Sequence, residues 1–264
     1  MPELPDVEVF RRRLAHSALK RRIEDVDVRD TQVLDGISAR RLRDALMGRR
    51  LLSTRRHGKH LLAEIENGIE GGGWLTLHFG MTAYVERLDA DAEQPGHTRV
   101  VLDLGDRLVC FVDQRRLGRI GLADDPDEFA AAHDLGPDAL DLDPAEWGEL
   151  LHASRGSLVS TVMDQARVSG VGNIYSDEIP FHARLDPRRP AEEIDDAGVR
   201  RLHRQTQRVL RRAVEAGADP ADMPRGWLIH AREEGRSCPR CGGRVERLAV
   251  GGRHSYWCPS CQAG

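Results

Sequence analysis

The stretch that decides how the chain folds at its C-terminal end is Cys238-Pro-Arg-Cys-Gly-Gly-Arg-Val-Glu-Arg-Leu-Ala-Val-Gly-Gly-Arg-His-Ser-Tyr-Trp-Cys-Pro-Ser-Cys261. Its two Cys-x-x-Cys pairs are sixteen residues apart, a spacing that brings four thiolates to a tetrahedron around zinc. Residues 244–250 and 253–257 are expected to form two strands joined by a Gly-Gly turn. The pattern predicts a zinc ribbon with one structural Zn²⁺ held by Cys238, Cys241, Cys258 and Cys261.

The other use of paired cysteines, two disulfides, is disfavoured because the charged N-terminus is no secretory signal. No apolar run approaches the roughly 18 residues needed to cross a membrane. The sequence therefore predicts an intracellular, cytoplasmic protein without a membrane partner. Because no feature suggests an interface, we expect a monomer. The fifth cysteine, Cys110, lies among apolar residues and is expected in the core.

Charge is distributed unevenly along the 264 residues, although the net charge is only −4. Between Gly121 and Leu150 there are ten acidic residues and no Lys or Arg. Between Arg200 and Arg212 there are six Arg and no acid. This indicates either an acidic linker beside a phosphate-binding surface or an ordinary, highly charged protein surface. Composition alone leaves both interpretations open.

Hydrophobic periodicity and turn residues divide the chain into a strand-rich first half and a helical second half. The fold class is α+β: an N-terminal β-sandwich opened by one helix, a helical domain and the zinc-ribbon hairpin. We expect domain boundaries at 1–123, 124–144 (an acidic linker), 145–230 and 231–264. The predicted strands are 22–30, 50–53, 59–65, 74–85, 98–104, 107–112, 119–122 and 227–231. The predicted helices are 6–19, 39–47, 145–153, 157–164, 174–183 and 195–215.

The N-terminus, Met1-Pro2-Glu3, carries a possible catalytic pair. Once Met1 is removed, Pro2 is a secondary amine that can attack a sugar carbon and form an iminium. The adjacent Glu3 is placed to transfer protons. The alternative is a proline in the first turn of a helix, with Asp6 and Glu8 near its positive end.

Seven motifs in order then resemble one family, the formamidopyrimidine-DNA glycosylases and endonuclease VIII, over nearly the whole length. The motifs are Met1-Pro-Glu-Leu-Pro-Asp-Val-Glu8, Arg55-Arg-His-Gly-Lys-His-Leu-Leu62, His78-Phe-Gly-Met81, Asp113-Gln-Arg-Arg-Leu-Gly118, Leu135-Gly-Pro-Asp-Ala-Leu140, Asp164-Gln-Ala-Arg-Val-Ser-Gly-Val-Gly-Asn-Ile-Tyr-Ser-Asp-Glu178 and the four-cysteine hairpin. The resemblance implies a bifunctional DNA glycosylase and abasic-site lyase acting on damaged double-stranded DNA. It also identifies the helical domain as a helix–two-turn–helix domain.

The resemblance assigns roles to individual residues. Pro2 would form the Schiff base and Glu3 would shuttle protons, after which β- and δ-elimination cut the strand. Lys59, Asn173 and Arg253 would bind phosphates, with Lys59 and Arg253 at the catalytic site and Asn173 also suited to cap the next helix. The remaining DNA contacts are a wedge of Met81, Arg115 and Leu117, and a carboxylate, Glu178.

Two departures from the family concern the base that is removed. Leu117 stands where the formamidopyrimidine branch often has phenylalanine. Only residues 216–226 separate the helix predicted at 195–215 from the strand predicted at 227–231. They are too few for the long loop that covers a flipped purine in the 8-oxoguanine-specific branch. Oxidised pyrimidines, ring-opened purines and abasic sites stay open as substrates, with 8-oxoguanine disfavoured. The alternative function is a non-catalytic relative that binds damaged DNA through the helical domain and zinc finger.

Overall fold

The computed structural model describes residues 1–69 and 72–263. The chain forms two compact units, Met1–His133 and Asp134–Gly264. Helices and antiparallel sheets are both present, in agreement with the predicted α+β class. Within the described ranges, no helix is long and apolar enough to cross a membrane.

In the N-terminal unit, the described residues form two four-stranded antiparallel sheets, in the orders β1-β6-β7-β5 and β2-β3-β4-β8. The strands are β1 Asp25–Val28, β2 Leu51–His57, β3 His60–Ile69, β4 Gly72–His78, β5 Tyr84–Asp89, β6 Thr98–Asp103, β7 Arg107–Val112 and β8 Arg119–Ala123. The helices are α1 Leu4–Ala18, α2 Ala39–Leu46 and α3 Pro126–Ala132. Ser38 Oγ accepts a hydrogen bond from Arg41 N (3.1 Å) and thereby caps α2.

One apolar core unites both sheets with α1 and α2. Leu14 on α1 and Leu42 on α2 belong to the same buried cluster as Leu61, Phe79 and Phe111 from the strands and the residues that follow them. Burial of this aliphatic and aromatic surface is the dominant stabilising contribution in the unit. It holds α1, and with it the chain's first residues, against the sandwich.

Residues 74–85 do not form the single strand that the sequence predicts. They form β4 and β5, which belong to different sheets and are separated by residues 79–83. Gly80 has a φ of +52°, and a Cβ there would lie 2.5 Å from the carbonyl carbon of Leu117. The break therefore depends on a close backbone approach that only glycine permits.

The predicted acidic linker, 124–144, contains a helix. Asp125 caps α3 by accepting hydrogen bonds from Asp127 N (2.7 Å) and Glu128 N (3.1 Å). The boundary between the two units falls after His133, inside this stretch. Acidic residues here stabilise a helix start, a role that composition alone does not distinguish from a solvated linker.

The C-terminal unit contains the helices α4 Pro144–His152, α5 Leu158–Met163, α6 Tyr175–Ala183 and α7 Asp196–Glu215. Its hairpin consists of β9 Glu246–Val250 and β10 Arg253–Trp257. Val250 pairs with Arg253, and both residues of the Gly251-Gly252 turn have positive φ, so the predicted two-residue turn is confirmed. The predicted strand 227–231 is wrong, because Leu228–Ala231 forms a 3₁₀ helix.

Candidate functional sites

The first turn of α1 places three chemical groups together. Pro2 is partly exposed, whereas the next residue, Glu3, is 1% exposed and serves as the N-cap of the helix. The N–H of Glu3 donates to Asp6 Oδ2 at 2.8 Å. Pro2 therefore precedes the N-cap and lies outside α1, so the alternative that places it in the first helical turn is wrong, although Asp6 does lie in that turn. The catalytic role of Pro2 and Glu3 stays a prediction.

Asp6 has an altered proton affinity. Burial raises the pKa of Asp6 to about 6, and the nearby Glu3 charge adds to the rise, while the hydrogen bond from Glu3 N opposes it. A carboxyl group with a pKa of about 6 exchanges protons near neutral pH. Sequence reasoning noted Asp6 without a role, and its burial is what identifies it as a candidate acid–base group.

Lys59 is the second residue of the two-residue turn of the β2–β3 hairpin, where His57 pairs with His60 and Gly58 has a φ of +55°. Its side chain is largely buried, at 8% exposure, which is unusual for lysine and argues against a solvated surface cation. Strand β2 is tied to α1, because Arg56 Nε lies 3.6 Å from Glu8 Oε2. Lys59 is thus carried by a hairpin attached to the helix that begins after Glu3.

Imidazole rings surround this hairpin. His60 stacks on His78 with ring centroids 4.8 Å apart, and Phe129 and His133 of the α3 segment lie 5.3 and 6.0 Å away. Burial lowers the pKa of His60 to about 3, with smaller contributions from the neighbouring histidines and Lys59. Burial also lowers the pKa of His78, and the charge of Lys59 adds to that shift. Lys59 therefore lies near imidazoles that stay neutral at physiological pH.

The predicted wedge residues lie on two loops that touch. Met81 and Leu117 are 41% and 40% exposed, and Arg115 is also exposed. The backbone approach at Gly80 sets the two loops side by side. Large apolar side chains held together at the surface are typical of a binding surface.

A buried carboxylate, Asp113, fixes these loops. It is 0% exposed and accepts from Thr82 Oγ1 (3.1 Å), Arg115 N (3.1 Å) and Gly118 N (2.7 Å). Asp113 thereby connects the loop after β4 to the loop after β7. Asp113 is the first residue of a family motif, but only these contacts show that it holds the two loops together.

The four cysteines converge as predicted. Their Sγ atoms all lie within 4.8 Å of one another, with Cys238–Cys261 at 3.8 Å and Cys241–Cys258 at 3.6 Å. Zinc–sulfur bonds of about 2.3 Å give a tetrahedron whose edges are about 3.8 Å. The cluster fits one structural Zn²⁺ and supplies all four ligands. Cys110 lies buried in the other unit, as expected.

Asn173 does not cap α6. Ile174 already has helical dihedral angles and precedes the first helical residue, Tyr175, without a side-chain cap. The main-chain oxygen of Asn173 accepts from Arg232 Nη2 at 2.9 Å, while its Oδ1 is buried without a hydrogen-bond partner. The predicted capping role is therefore wrong, because the helix begins one residue too late for Asn173 to serve.

Glu178 is a buried support and not a surface contact. It is 0% exposed, Oε1 accepts from Leu228 N (2.9 Å) and His182 Nε2 (2.8 Å), and Oε2 accepts from Ile229 N (2.9 Å). The carboxylate caps the 3₁₀ helix Leu228–Ala231, which is why that segment is not a strand. These donors occupy both oxygens, so we replace the predicted DNA contact of Glu178 with a structural role.

Arg253 is exposed at the start of β10, next to the turn of the zinc hairpin. Sequence reasoning missed the residues that hold this strand in place. Asp177, the neighbour of Glu178, accepts from Tyr256 N at 3.0 Å and from Ser255 Oγ. Asp177 belongs to the family motif that ends at Glu178, which could have drawn attention to it. Its hydrogen-bond partners could not be predicted, because they lie far along the chain, in the second strand of the hairpin.

Family models match the three parts of the chain in order. Residues 1–120 match the formamidopyrimidine-DNA glycosylase N-terminal domain, 135–224 match the formamidopyrimidine-DNA glycosylase H2TH domain, and 237–264 match the zinc finger found in FPG and IleRS. The chain belongs to the formamidopyrimidine-DNA glycosylase family. It is therefore a DNA glycosylase of a family that acts in damaged-base repair, with a structural zinc site.

Curated relatives of this glycosylase extend over its full length. A formamidopyrimidine-DNA glycosylase of Thermus thermophilus is 39% identical over 280 residues, covering 99% of this chain and 98% of the relative. That of Laribacter hongkongensis is 36% identical, covering 99% and 100%. The predicted fold class is confirmed together with the family.

Solved structures share the glycosylase fold. The complex between the Lactococcus lactis Fpg and abasic-site-containing DNA has a TM-score of 0.87 at 23% identity and covers 99% of this chain and 100% of the other. A complex of the wild-type L. lactis Fpg with DNA containing an oxidised pyrimidine also has a TM-score of 0.87, at 24% identity, with full coverage of both chains.

Proposed function

We propose that this glycosylase removes damaged bases through a Schiff base on Pro2 and then cleaves the strand by β,δ-elimination. The observation that carries the proposal is the placement of a buried Glu3 carboxyl group directly beside Pro2 at the start of α1. Met1 must be removed first, since the Pro2 nitrogen is otherwise an amide. Met1 is 38% exposed and therefore accessible to a processing enzyme.

In the first step, the lone pair of the Pro2 nitrogen attacks C1′ as the bond from C1′ to the base breaks, and the base leaves with a proton. Glu3 supplies the proton that lets the sugar ring open, which leaves an iminium between Pro2 and C1′. Loss of a C2′ proton converts the iminium to an enamine, and the electrons of the enamine then expel the 3′ phosphate as the C2′–C3′ double bond forms. A further elimination expels the 5′ phosphate, and hydrolysis frees Pro2.

The neighbours of this pair support proton transfer. Asp6, with a pKa of about 6, exchanges protons in the working range of pH and hydrogen-bonds the main chain of Glu3. Lys59 supplies a buried positive charge for a phosphate near the lesion. The pKa of the nearby His60 is lowered, so this imidazole carries no charge at neutral pH.

We propose damaged double-stranded DNA as the partner, with Lys59, Asn173 and Arg253 as phosphate contacts. Met81, Arg115 and Leu117 would fill the space left by the flipped base and offset part of the few kcal/mol that flipping costs. Relatives of the fold have been solved with an abasic site and with an oxidised pyrimidine in the DNA. We expect the same classes of lesion here.

The base preference is a separate proposal. Residues 216–226 contain only the short 3₁₀ helix Pro220–Asp222, which leaves little chain to cover a purine. We therefore expect 8-oxoguanine to be a poor substrate. A nicking panel with 8-oxoguanine, ring-opened guanine, thymine glycol and dihydrouracil tests this, and efficient cleavage of 8-oxoguanine opposite cytosine would contradict it.

Borohydride trapping on a duplex with an abasic site tests the mechanism. Protein that has lost Met1 should form a covalent adduct on the peptide that begins at Pro2. We expect Glu3→Gln to slow base excision by roughly 10²–10⁴-fold, the usual contribution of a general acid–base group. Glu93→Gln, which changes an exposed carboxylate of the same unit, is the matched control and should react normally.

The non-catalytic alternative predicts tight binding to the same duplex without any adduct. Processed protein that binds but is never trapped would therefore refute the enzymatic proposal. An adduct that persists at full yield in Pro2→Gly and maps outside the N-terminal peptide would place the nucleophile elsewhere.

A further inference from the structure

One buried ion pair connects two distant segments of the C-terminal unit. Asp177, in the first turn of α6, is 0% exposed, and Arg232 is 16% exposed. Arg232 Nε and Nη2 donate to Asp177 Oδ2 at 3.0 and 2.8 Å. Charged groups are found so deeply buried when partners satisfy them, and breaking such a pair leaves an uncompensated charge.

The same carboxylate holds the zinc hairpin. Tyr256 N donates to Oδ2 at 3.0 Å, and Ser255 Oγ donates to Oδ1. Ser255 is 1% exposed, so this contact is sealed from solvent. Side chains alternate along a strand, and Arg253 therefore projects from the same face of β10 as Ser255. Asp177 thus sets the position of the face from which Arg253 extends.

The guanidinium holds the turn before α6. Arg232 Nη2 also donates to the main-chain oxygen of Asn173 at 2.9 Å. One side chain therefore bonds Asp177 and Asn173 at once, an arrangement that depends on the rigid fork of an arginine. Through this pair, the backbone at Asn173 and the strand that carries Arg253 are fixed to the same buried point.

Given the proposed DNA-repair function on which this step rests, we infer that Asp177 and Arg232 are positioning residues that hold Asn173 and Arg253 in one preset phosphate-binding arrangement. Contacts that are ordered before binding reduce the entropy lost when the ligand is bound. Asp177 is buried and acidic, so it acts through the two contacts and touches no phosphate itself.

The neighbouring carboxylate offers a comparison within the same helix. Glu178 is equally buried, but it accepts from Leu228 N, Ile229 N and His182 Nε2. None of these donors belongs to the hairpin or to the turn at Asn173. Glu178→Gln should therefore lower stability while leaving the two phosphate contacts coupled, and Asp177→Asn should uncouple them.

The test is a double-mutant cycle on DNA affinity. Asn173→Ala and Arg253→Ala are measured singly and together, in wild-type, Asp177→Asn and Glu178→Gln backgrounds, on a duplex containing a tetrahydrofuran abasic analogue. Asp177→Asn should raise Kd roughly tenfold, as expected for a lost hydrogen bond to a charged group, and make the two alanine effects additive. The trapping rate at saturating enzyme should change less than about threefold, because the reacting groups are intact.

Zinc content and unfolding midpoint are recorded for each variant. Two results for a folded, zinc-loaded Asp177→Asn protein would overturn the inference. One is a Kd within about twofold of the wild-type value, and the other is a double-mutant cycle that still shows coupling between Asn173 and Arg253. If Asp177→Asn does not fold, the same measurements on Arg232→Lys test the inference. A lysine keeps the positive charge but lacks the planar guanidinium that can bond Asp177 and Asn173 together. It should weaken binding, and wild-type affinity with an unchanged cycle would also overturn the inference. Wild-type protein that binds without being trapped would refute the catalytic proposal and leave this binding test intact.

Discussion

The two units of the chain differ in how fully hydrogen-bond donors surround their buried ionisable groups. The N-terminal unit is built on a large aliphatic and aromatic core, and burial shifts the proton affinity of the groups at its edge, Asp6 and His60. The C-terminal unit surrounds its buried carboxylates, Asp177 and Glu178, with donors. It adds four cysteines that fit a metal ion.

This difference corresponds to two tasks. A group that must exchange protons benefits from an environment that moves its pKa towards the working pH. A group that must hold a surface in place benefits from as many hydrogen bonds as it can accept. We therefore expect substitutions at Asp6 and His60 to change mainly pH dependence, and those at Glu178 to change mainly stability. Burial raises the pKa of Asp177 to about 7, against the opposing effects of Arg232 and Ser255, so substitution of Asp177 should change pH dependence as well as binding.

The largest effect is expected from loss of the zinc site. Cys258→Ser should remove the metal, unfold the hairpin and weaken DNA binding by roughly 100-fold or more, because the binding free energy of a structural zinc is folding free energy. Zinc content and Kd are measured together. Cys110→Ala is the control and should keep one zinc per chain. Unchanged affinity after zinc loss would show that the hairpin is outside the DNA footprint.

Glu178→Gln should destabilise the C-terminal unit by about 1–3 kcal/mol, the cost of leaving a buried donor unsatisfied. A glutamine has one acceptor oxygen for the two main-chain N–H groups of Leu228 and Ile229. Denaturant unfolding measures the change. Glu215→Gln, on the exposed face of α7, should alter stability by less than about 0.5 kcal/mol. Equal effects of the two substitutions would contradict the structural role of Glu178.

Asp6→Asn should stabilise the N-terminal unit at pH 7–8 by at most about 3 kcal/mol, the full linkage of this pKa shift. The folded pKa of Asp6, about 6, lies above its ordinary value of 3.8, so its contribution to stability falls as pH rises from 3.8 through 6. The gain should therefore vanish near pH 4. Unfolding curves at both pH values test this, and the same variant should lose the inflection near pH 6 in its trapping rate. A gain in the free energy of unfolding that is the same at both pH values would show that Asp6→Asn acts through packing and not through the charge of Asp6.

The smallest effect at neutral pH is expected at His60. Its folded pKa, about 3, lies below its ordinary value of 6.5, so the free energy of unfolding should decrease as pH falls from 6.5 towards 4. His60→Phe should reduce this slope, leaving the share contributed by His78. The exposed His254→Gln serves as the control and should keep the wild-type slope. A slope that His60→Phe leaves unchanged would assign the pH dependence to other groups.

Local sequence was sufficient wherever the relevant partners are close together along the chain. The Gly-Gly turn and the two cysteine pairs specify the hairpin because few residues separate them. Pro2 and Glu3 are consecutive residues, so their proximity could be predicted without knowing the fold. Prediction was wrong at residues 74–85 and 227–231, where a backbone approach to Leu117 and the carboxylate of Glu178 decide the conformation.

The family, the fold class, the zinc ligands and the candidate nucleophile could all be predicted, since each depends on residue type at short or ordered spacing. The folded chain was needed to show that Glu178 is a buried cap, that Asp113 supports the wedge loops and that Asp177 joins Arg232 to the hairpin. A carboxylate's function depends on which donors surround it. Those donors come from segments that only the packed chain brings together.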